Sequence, residues 1–260
     1  MIIKLKGMLV SSPLGGVAQK GASTIKRKLA TVRRPELDSF YRDSDYLDRL
    51  LPTLIKPDSH CIDIGCHIGS VLKQFTDLAP KGSHMAVEPT PAKAVSLRNR
   101  FPDVTIHECA LSNAPGEAVF HEDVKRAGYS HLAYNEDDAA APEIHAYTVK
   151  VRTLDEICKQ SEHVSFIKID VEGGEQKVLE GGAATIEKFR PVIIFECGPV
   201  ATETDHNFSG DVIYKLLTDT HGYNIYAAID LVFEREALSL EAFRRYRTYP
   251  FVALNFIAIP

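Results

Sequence analysis

The sequence predicts an α/β fold built on a doubly wound, mostly parallel sheet of seven strands, and three observations predict it. Continuous apolar runs of strand length alternate with stretches of helical periodicity. Two of those runs end in acidic, glycine-bearing turns, Asp63–Gly69 and Asp170–Gly174, that lead directly into helices. The 260-residue chain, 45% hydrophobic and 25% charged, is long enough to cover both faces of such a sheet in one domain.

The chain divides near residue 36 into a basic N-terminal extension, 1–36, and a single domain, 37–260. Lys4, Lys6, Lys20, Lys26, Arg27, Lys28, Arg33 and Arg34 all precede the first acid, Glu36. Removing those eight from the 30 basic residues leaves 22 against 35 acids, so a net charge of -5 conceals -13 on the remainder. The arm reads as a solvated extension, with contact to a membrane surface, an acidic partner or organelle targeting as its alternatives. No apolar run reaches the roughly 20 residues of a transmembrane helix. Five cysteines without a Cys-x-x-Cys pair fit reduced, buried thiols in a cytoplasmic protein.

Within the domain, Tyr46, Leu47, Leu50, Leu51, Leu54 and Ile55 recur at helical spacing, with Asp45 as the expected N-cap. Strands are expected at His60–Ile64, His84–Glu88, Val104–Cys109, Val164–Asp170, Val192–Glu196, Tyr223–Ile229 and Phe251–Ile259. Helices are expected at Ser70–Leu78, Pro91–Arg100, Glu175–Phe189 and Asp211–Thr218. Glu117–Glu122 and Ala146–Val151 interrupt the alternation and read as an inserted β-hairpin with a long loop, a length typical of lids or disordered segments.

The turn Asp63-x-Gly65-x-x-x-Gly69 sits at the carboxyl end of a predicted parallel strand, where open α/β sheets bind ligands. A dinucleotide site calls for Gly-x-Gly-x-x-Gly with a diphosphate on the helix N-terminus, and this loop lacks the third glycine. Asp63 would repel a diphosphate, yet suits a ligand carrying an ammonium and a sulfonium, which is the chemistry of S-adenosylmethionine. Glu88, at the end of the next strand, is placed to accept hydrogen bonds from ribose hydroxyls.

A second set of acids follows at later strand ends: Asp170, Glu172 and Glu175, then Glu196. Buried carboxylates gathered at one edge are costly unless they have a role. Asp170, Glu172 and Glu196 read either as catalytic groups, one of them a base for an attacking hydroxyl, or as oxygen ligands of a divalent metal such as Mg²⁺. Glu175 reads as a helix-capping acid. His67, His107, His121, His131 and His145 are alternative bases, with His131 in Gly128-Tyr-Ser-His131 the foremost.

On these residues the sequence resembles the FkbM family of class I methyltransferases. The resemblance is carried by Asp63-Ile-Gly-Cys-His-Ile-Gly69, Val87-Glu88-Pro89-x-Pro91, Ala110-Leu-Ser112, Thr153-Leu-Asp155-Glu-Ile, Ile167-Lys-Ile-Asp-Val-Glu-Gly173, Val178-Leu-Glu-Gly181 and Pro191-Val-Ile-Ile-Phe-Glu196. It spans Asp45 to Glu196 and implies a Rossmann-like domain that moves a methyl group from S-adenosylmethionine to an oxygen of a sugar or secondary metabolite. It also implies cofactor positions at Asp63, Gly65, Cys66, His67, Gly69 and Glu88, with Ala110 in the loop beside the adenine. Asp170, Glu172 and Glu196 would line the reaction centre, Asp170 reaching the cofactor as well. Cys66-His67 departs from the Ala-Asn common in the family.

The competing readings are a catalytically inactive cofactor-binding or interaction protein and a nicotinamide-dependent oxidoreductase. The retained acids count against the first and the missing glycine against the second. A small-molecule or glycan acceptor fits better than nucleic acid, because the acidic domain lacks interleaved basic and aromatic residues.

Overall fold

The computed structural model describes residues 37–123, 144–198 and 210–260. The basic arm and the central loop of the insertion, with His131, lie outside the described residues.

Helix α1 (Leu37–Leu54) is followed by β1 (Cys61–Ile64), α2 (Ser70–Leu78), β2 (Met85–Val87), α3 (Pro91–Arg100) and β3 (Thr105–His107). Then come β4 (Ala110–Leu111), β5 (Gly116–Asp123), β6 (Ile144–Arg152), α4 (Leu154–Ile157) and β7 (Phe166–Ile169). The chain continues through α5 (Glu175–Glu180), α6 (Ala183–Phe189), β8 (Val192–Glu196) and α7 (Gly210–Lys215), which runs into a π-helical turn at Leu216–Thr220. It closes with β9 (Asn224–Ala227), α8 (Ala228–Val232), α9 (Leu240–Tyr246) and β10 (Asn255–Ile259).

Seven strands form one sheet in the order β3-β2-β1-β7-β8-β10-β9, with β10 alone antiparallel to its neighbours. This is the predicted doubly wound sheet. Alternate residues of its central strands feed two cores, which explains why those strands are apolar throughout. Ile62, Ile64, Ile167, Ile169, Ile193 and Phe195 enter one cluster, whereas Cys61, Phe166, Ile194 and Ile257 meet Leu50, Leu51 and Phe75 on the other face. No helix among the described residues is long and apolar enough to cross a membrane.

Four expectations change in detail, each for a tertiary reason. Helix α1 starts before Asp45, because Asp43 is buried and its Oδ2 accepts the N–H groups of Leu254 and Asn255 and the Asn255 amide, pinning the earlier turn to β10. The run Val104–Cys109 yields only β3, after which β4 joins β6 and β5 in a separate three-stranded sheet. Glu175–Phe189 is two helices, since Gly181 packs on the Ser112 carbonyl and Asp155 caps the new N-terminus by accepting from Ala184 N, Thr185 N and Thr185 Oγ1. Tyr223–Ile229 turns from β9 into α8, with Asp230 accepting the Ala227 N–H.

Gly65 locks the sheet's centre. Its φ is 76°, its N–H donates to the Val87 carbonyl at 3.0 Å, and an added Cβ would stand 1.8 Å from the Asp170 carbonyl oxygen. Gly65→Ala is therefore expected to lower the unfolding free energy by at least about 2 kcal/mol in urea titrations, the left-handed backbone alone accounting for about 1–2. A loss below about 0.5 kcal/mol would mean that the turn moves freely away from β7.

Candidate active site

The sheet changes winding direction between β1 and β7, and open α/β sheets bind ligands in the crevice at such a switch point. Every acid singled out in the sequence lies in or just after β1, β2, β7 or β8, toward their carboxyl ends.

The turn after β1 takes three left-handed residues, Gly65, His67 and Gly69, with φ of 76°, 50° and 78°. Both glycines answer to protein contacts: Gly65 to the Asp170 carbonyl, and Gly69 to Leu97 and Phe101, which an added Cβ would meet at 2.7 and 2.8 Å. Cys66 turns inward among Leu72, Leu97 and Phe101, and burial pushes its thiol pKa up. His67 is half-buried, its backbone N–H donates to Glu88 Oε2 at 2.9 Å, and its Nε2 has no hydrogen-bond partner. Glu88 Oε1 accepts the Thr90 N–H at 2.9 Å, so each Glu88 oxygen holds one backbone donor and keeps acceptor capacity. Burial raises the Glu88 pKa, and the Thr90, Lys93 and His67 groups pull against that rise.

Asp63 is fully enclosed, 0% exposed, and neither of its oxygens forms a full hydrogen bond. Lys168, its Cα partner across β1 and β7, brings Nζ within 3.9 Å of Oδ1. Burial dominates and lifts the Asp63 pKa to about 6 despite that cation. Its charge therefore acts from beneath the glycine loop rather than at the cleft surface.

The accessible acids belong to the second set. Asp170 follows β7 and accepts a 2.8 Å hydrogen bond from Lys168 Nζ. Glu172 is exposed and left-handed at φ 54°. Glu175 holds that turn from below, its Oε1 accepting from Val171 N at 2.9 Å and Gly173 N at 3.2 Å. Thus Glu175, beyond being an early helical acid, shapes the loop that presents Glu172. Crowding by protein atoms, then by the Asp170 and Glu175 carboxylates, raises the Glu172 pKa to about 7. Asp170 and Glu196 share a hydrogen bond: burial and the neighbouring acids push Glu196 well above the usual range, while Lys168 overcomes burial and keeps Asp170 below it. The two acids titrate as one pair, and these directions favour Glu196 as its protonated member.

Among the described residues no group of three or more His, Cys, Asp or Glu side chains is placed to hold a metal ion. Between Asp63 and Asp170 stands the Lys168 ammonium. The Mg²⁺ alternative for Asp170, Glu172 and Glu196 thus finds no ligand set there.

Ala110 lies in the short strand β4 rather than in a loop, packed with Phe120, Val149 and Val151. A polar strut escaped the sequence reading altogether: Lys93 on α3 pairs with Glu122 on β5 at 2.9 Å, and Tyr147 Oη on β6 donates to the same carboxylate at 2.9 Å. It ties the hairpin to the helix that follows Glu88. Lone polar residues scattered over three elements carry no motif that would disclose it.

The family described as the methyltransferase FkbM domain matches residues 63–225. The 2-O-methyltransferase NoeI of Sinorhizobium fredii (strain NBRC 101917 / NGR234) is 30% identical over 161 residues, a match covering 55% of this chain and 65% of that protein. Among solved structures, methyltransferase FkbM from Methylobacillus flagellatus KT is similar with a TM-score of 0.48 at 17% identity, over 79% of this chain and 44% of that one. Fibrillarin of Aeropyrum pernix, crystallised with natively bound S-adenosyl-L-methionine, gives a TM-score of 0.42 at 14% identity, over 80% of this chain and 68% of that one.

Glu196 makes stability depend on pH. A carboxyl whose folded pKa lies above its unfolded one keeps in the native state a proton that the unfolded chain has released, so stability falls as pH rises past the unfolded value of about 4.3. Wild type and Glu196→Gln should therefore unfold alike near pH 4, and the variant should gain on wild type as pH rises to 8. A pH-independent difference in denaturant midpoint would contradict the assignment of the proton.

Proposed function

The chain belongs to the FkbM methyltransferase family, and on that premise we propose that it uses S-adenosylmethionine to methylate a hydroxyl oxygen of a sugar, glycan or secondary metabolite. The observation that carries this reading is Glu172: an accessible carboxylate in a strained left-handed turn, braced by Glu175 beside Asp170 at the sheet's switch point. The 2-O-methyltransferase name of the NoeI relative supports oxygen as the acceptor atom, although this chain matches only 65% of that protein's length.

The residues present fit the cofactor. Glu88 keeps one acceptor site per oxygen for ribose hydroxyls, and Asp170 at the strand end, with the enclosed charge of Asp63 beneath the glycine loop, suits an ammonium and a sulfonium, where a diphosphate would be repelled. Bound there, S-adenosylmethionine supplies an electrophilic methyl carbon on a good leaving group. Glu172 accepts the hydroxyl proton of the acceptor as the new oxygen–carbon bond forms, and a pKa of about 7 sets it near neutral working pH. Ionised Asp170 and protonated Glu196 offer one acceptor and one donor, a pair able to orient the neighbouring hydroxyls of a polyol. The same acids disfavour a phosphate-rich acceptor. Residues 37–260 are the catalytic unit in this reading, with 1–36 appended to it.

Two substitutions separate the halves of the site. Glu172→Gln should cut kcat by about 10²–10⁴ while leaving S-adenosylhomocysteine affinity, read by calorimetry, within about twofold; undiminished turnover would remove Glu172 as the base. Glu88→Ala should instead weaken that affinity by about tenfold or more, and unchanged binding would place the ribose elsewhere.

A further inference from the structure

Lys168 occupies the middle of β7, in the run Phe166-Ile-Lys-Ile169, where every other residue is apolar and fully buried. Nothing in strand formation calls for an ammonium there, and enclosing one is costly unless charges face it. Its side chain is 12% exposed and carboxylates surround it: Asp63 from β1, Asp170 from the end of its own strand and Glu196 from β8. Burial works against the ammonium, but these acids outweigh it and Lys168 stays protonated.

The distances separate two roles. A lysine present only to satisfy the enclosed Asp63 would sit closest to that acid, its cross-strand partner. Instead Nζ lies 2.8 Å from Asp170 Oδ2 and 3.9 Å from Asp63 Oδ1, and Asp63 is left without a full hydrogen bond. The ammonium is drawn toward the cleft at the expense of the buried acid.

We infer that Lys168 is a positioning residue of this site, whose ammonium bridges the buried Asp63 and the cleft-facing Asp170 and holds the Asp170 carboxylate in place as an acceptor at the reaction edge. The inference rests on the reading of Asp170 and Glu196 as groups of the reaction edge. The other charges facing Asp170 are Glu172 and Glu175 from its own loop and His67 from the turn after β1. Without the ammonium, Asp170 would stand among carboxyls alone and would compete with Glu196 and Glu172 for protons, losing its fixed role as acceptor.

The test uses the full chain as Lys168→Met, Lys168→Arg and the double variant Lys168→Met/Asp63→Asn, the last removing both buried charges in case the single change prevents folding. Carboxyl ¹³C NMR titration, without cofactor, follows Asp170 and Glu196 directly. Wild type and Lys168→Arg should show Asp170 titrating below the ordinary carboxylate range, and in both lysine-free proteins it should rise by about one pH unit or more. In the folded lysine-free protein the acidic limb of kcat, which Glu172 sets, should also move upward, because the Lys168 ammonium holds the Glu172 carboxyl down. An Asp170 titration unmoved in both lysine-free variants, or a displaced titration with an unmoved kcat limb, overturns the inference. Because the titration needs no turnover, a wild-type protein that transfers no methyl group counts against the proposed function and leaves the Lys168–Asp170 coupling to be judged by NMR.

Discussion

A carboxylate buried in the central strand of a sheet has to be answered by a cation or by donors, and Asp63 is answered almost wholly by Lys168 across the β1–β7 register. That pairing joins the two halves of a doubly wound fold at the point where their windings diverge. The turn after β1 then lies directly on the end of β7, so close that only glycine fits at position 65 against the Asp170 carbonyl. The glycine loop and the second acid cluster are thereby one unit. A shift in one displaces the other.

Within that unit the acids divide by accessibility, and the division follows their work. Asp63, Glu88 and Glu175 are buried; Glu88 gathers the amides of His67 and Thr90, and Glu175 those of Val171 and Gly173. These are contacts that fix loops. Asp170, Glu172 and Glu196 stand where solvent reaches, with pKa values spread in opposite directions by Lys168, burial and mutual repulsion. Neighbouring carboxyls pushed apart in this way supply an acceptor and a donor at one pH, which a methyl transfer to a hydroxyl can use.

Much of this was legible in the sequence because it is periodic or local. Uninterrupted apolar runs disclosed the parallel strands, and Ser70–Leu78, Pro91–Arg100 and Val192–Glu196 have the bounds expected. The family motifs marked both acid edges, and a physical basis emerges for parts of them: Thr153 and Glu156 form a capping box, and Asp155 caps α6. What stayed hidden depends on contacts distant in sequence. Asp43 meets β10 more than 200 positions away, which is why α1 starts early. Cys66 looked like a cofactor contact from its place in the loop, yet its thiol belongs to the core packed between α2 and α3. Lys168 carries no signal of its role in the sequence, since strand periodicity says nothing about which carboxylate lies across the register.

If both acid edges serve one transfer to oxygen, the methyl group itself can be followed from cofactor to acceptor. Purified full-length protein, incubated with S-adenosylmethionine bearing a trideuterated methyl and a panel of hydroxyl-rich oligosaccharides and metabolites, is analysed by mass spectrometry with fragmentation. Transfer to oxygen should yield an acceptor that gains one trideuteromethyl group on a hydroxyl oxygen. Label found on nitrogen or carbon, or absent from every hydroxyl acceptor while the protein binds S-adenosylhomocysteine, would contradict it.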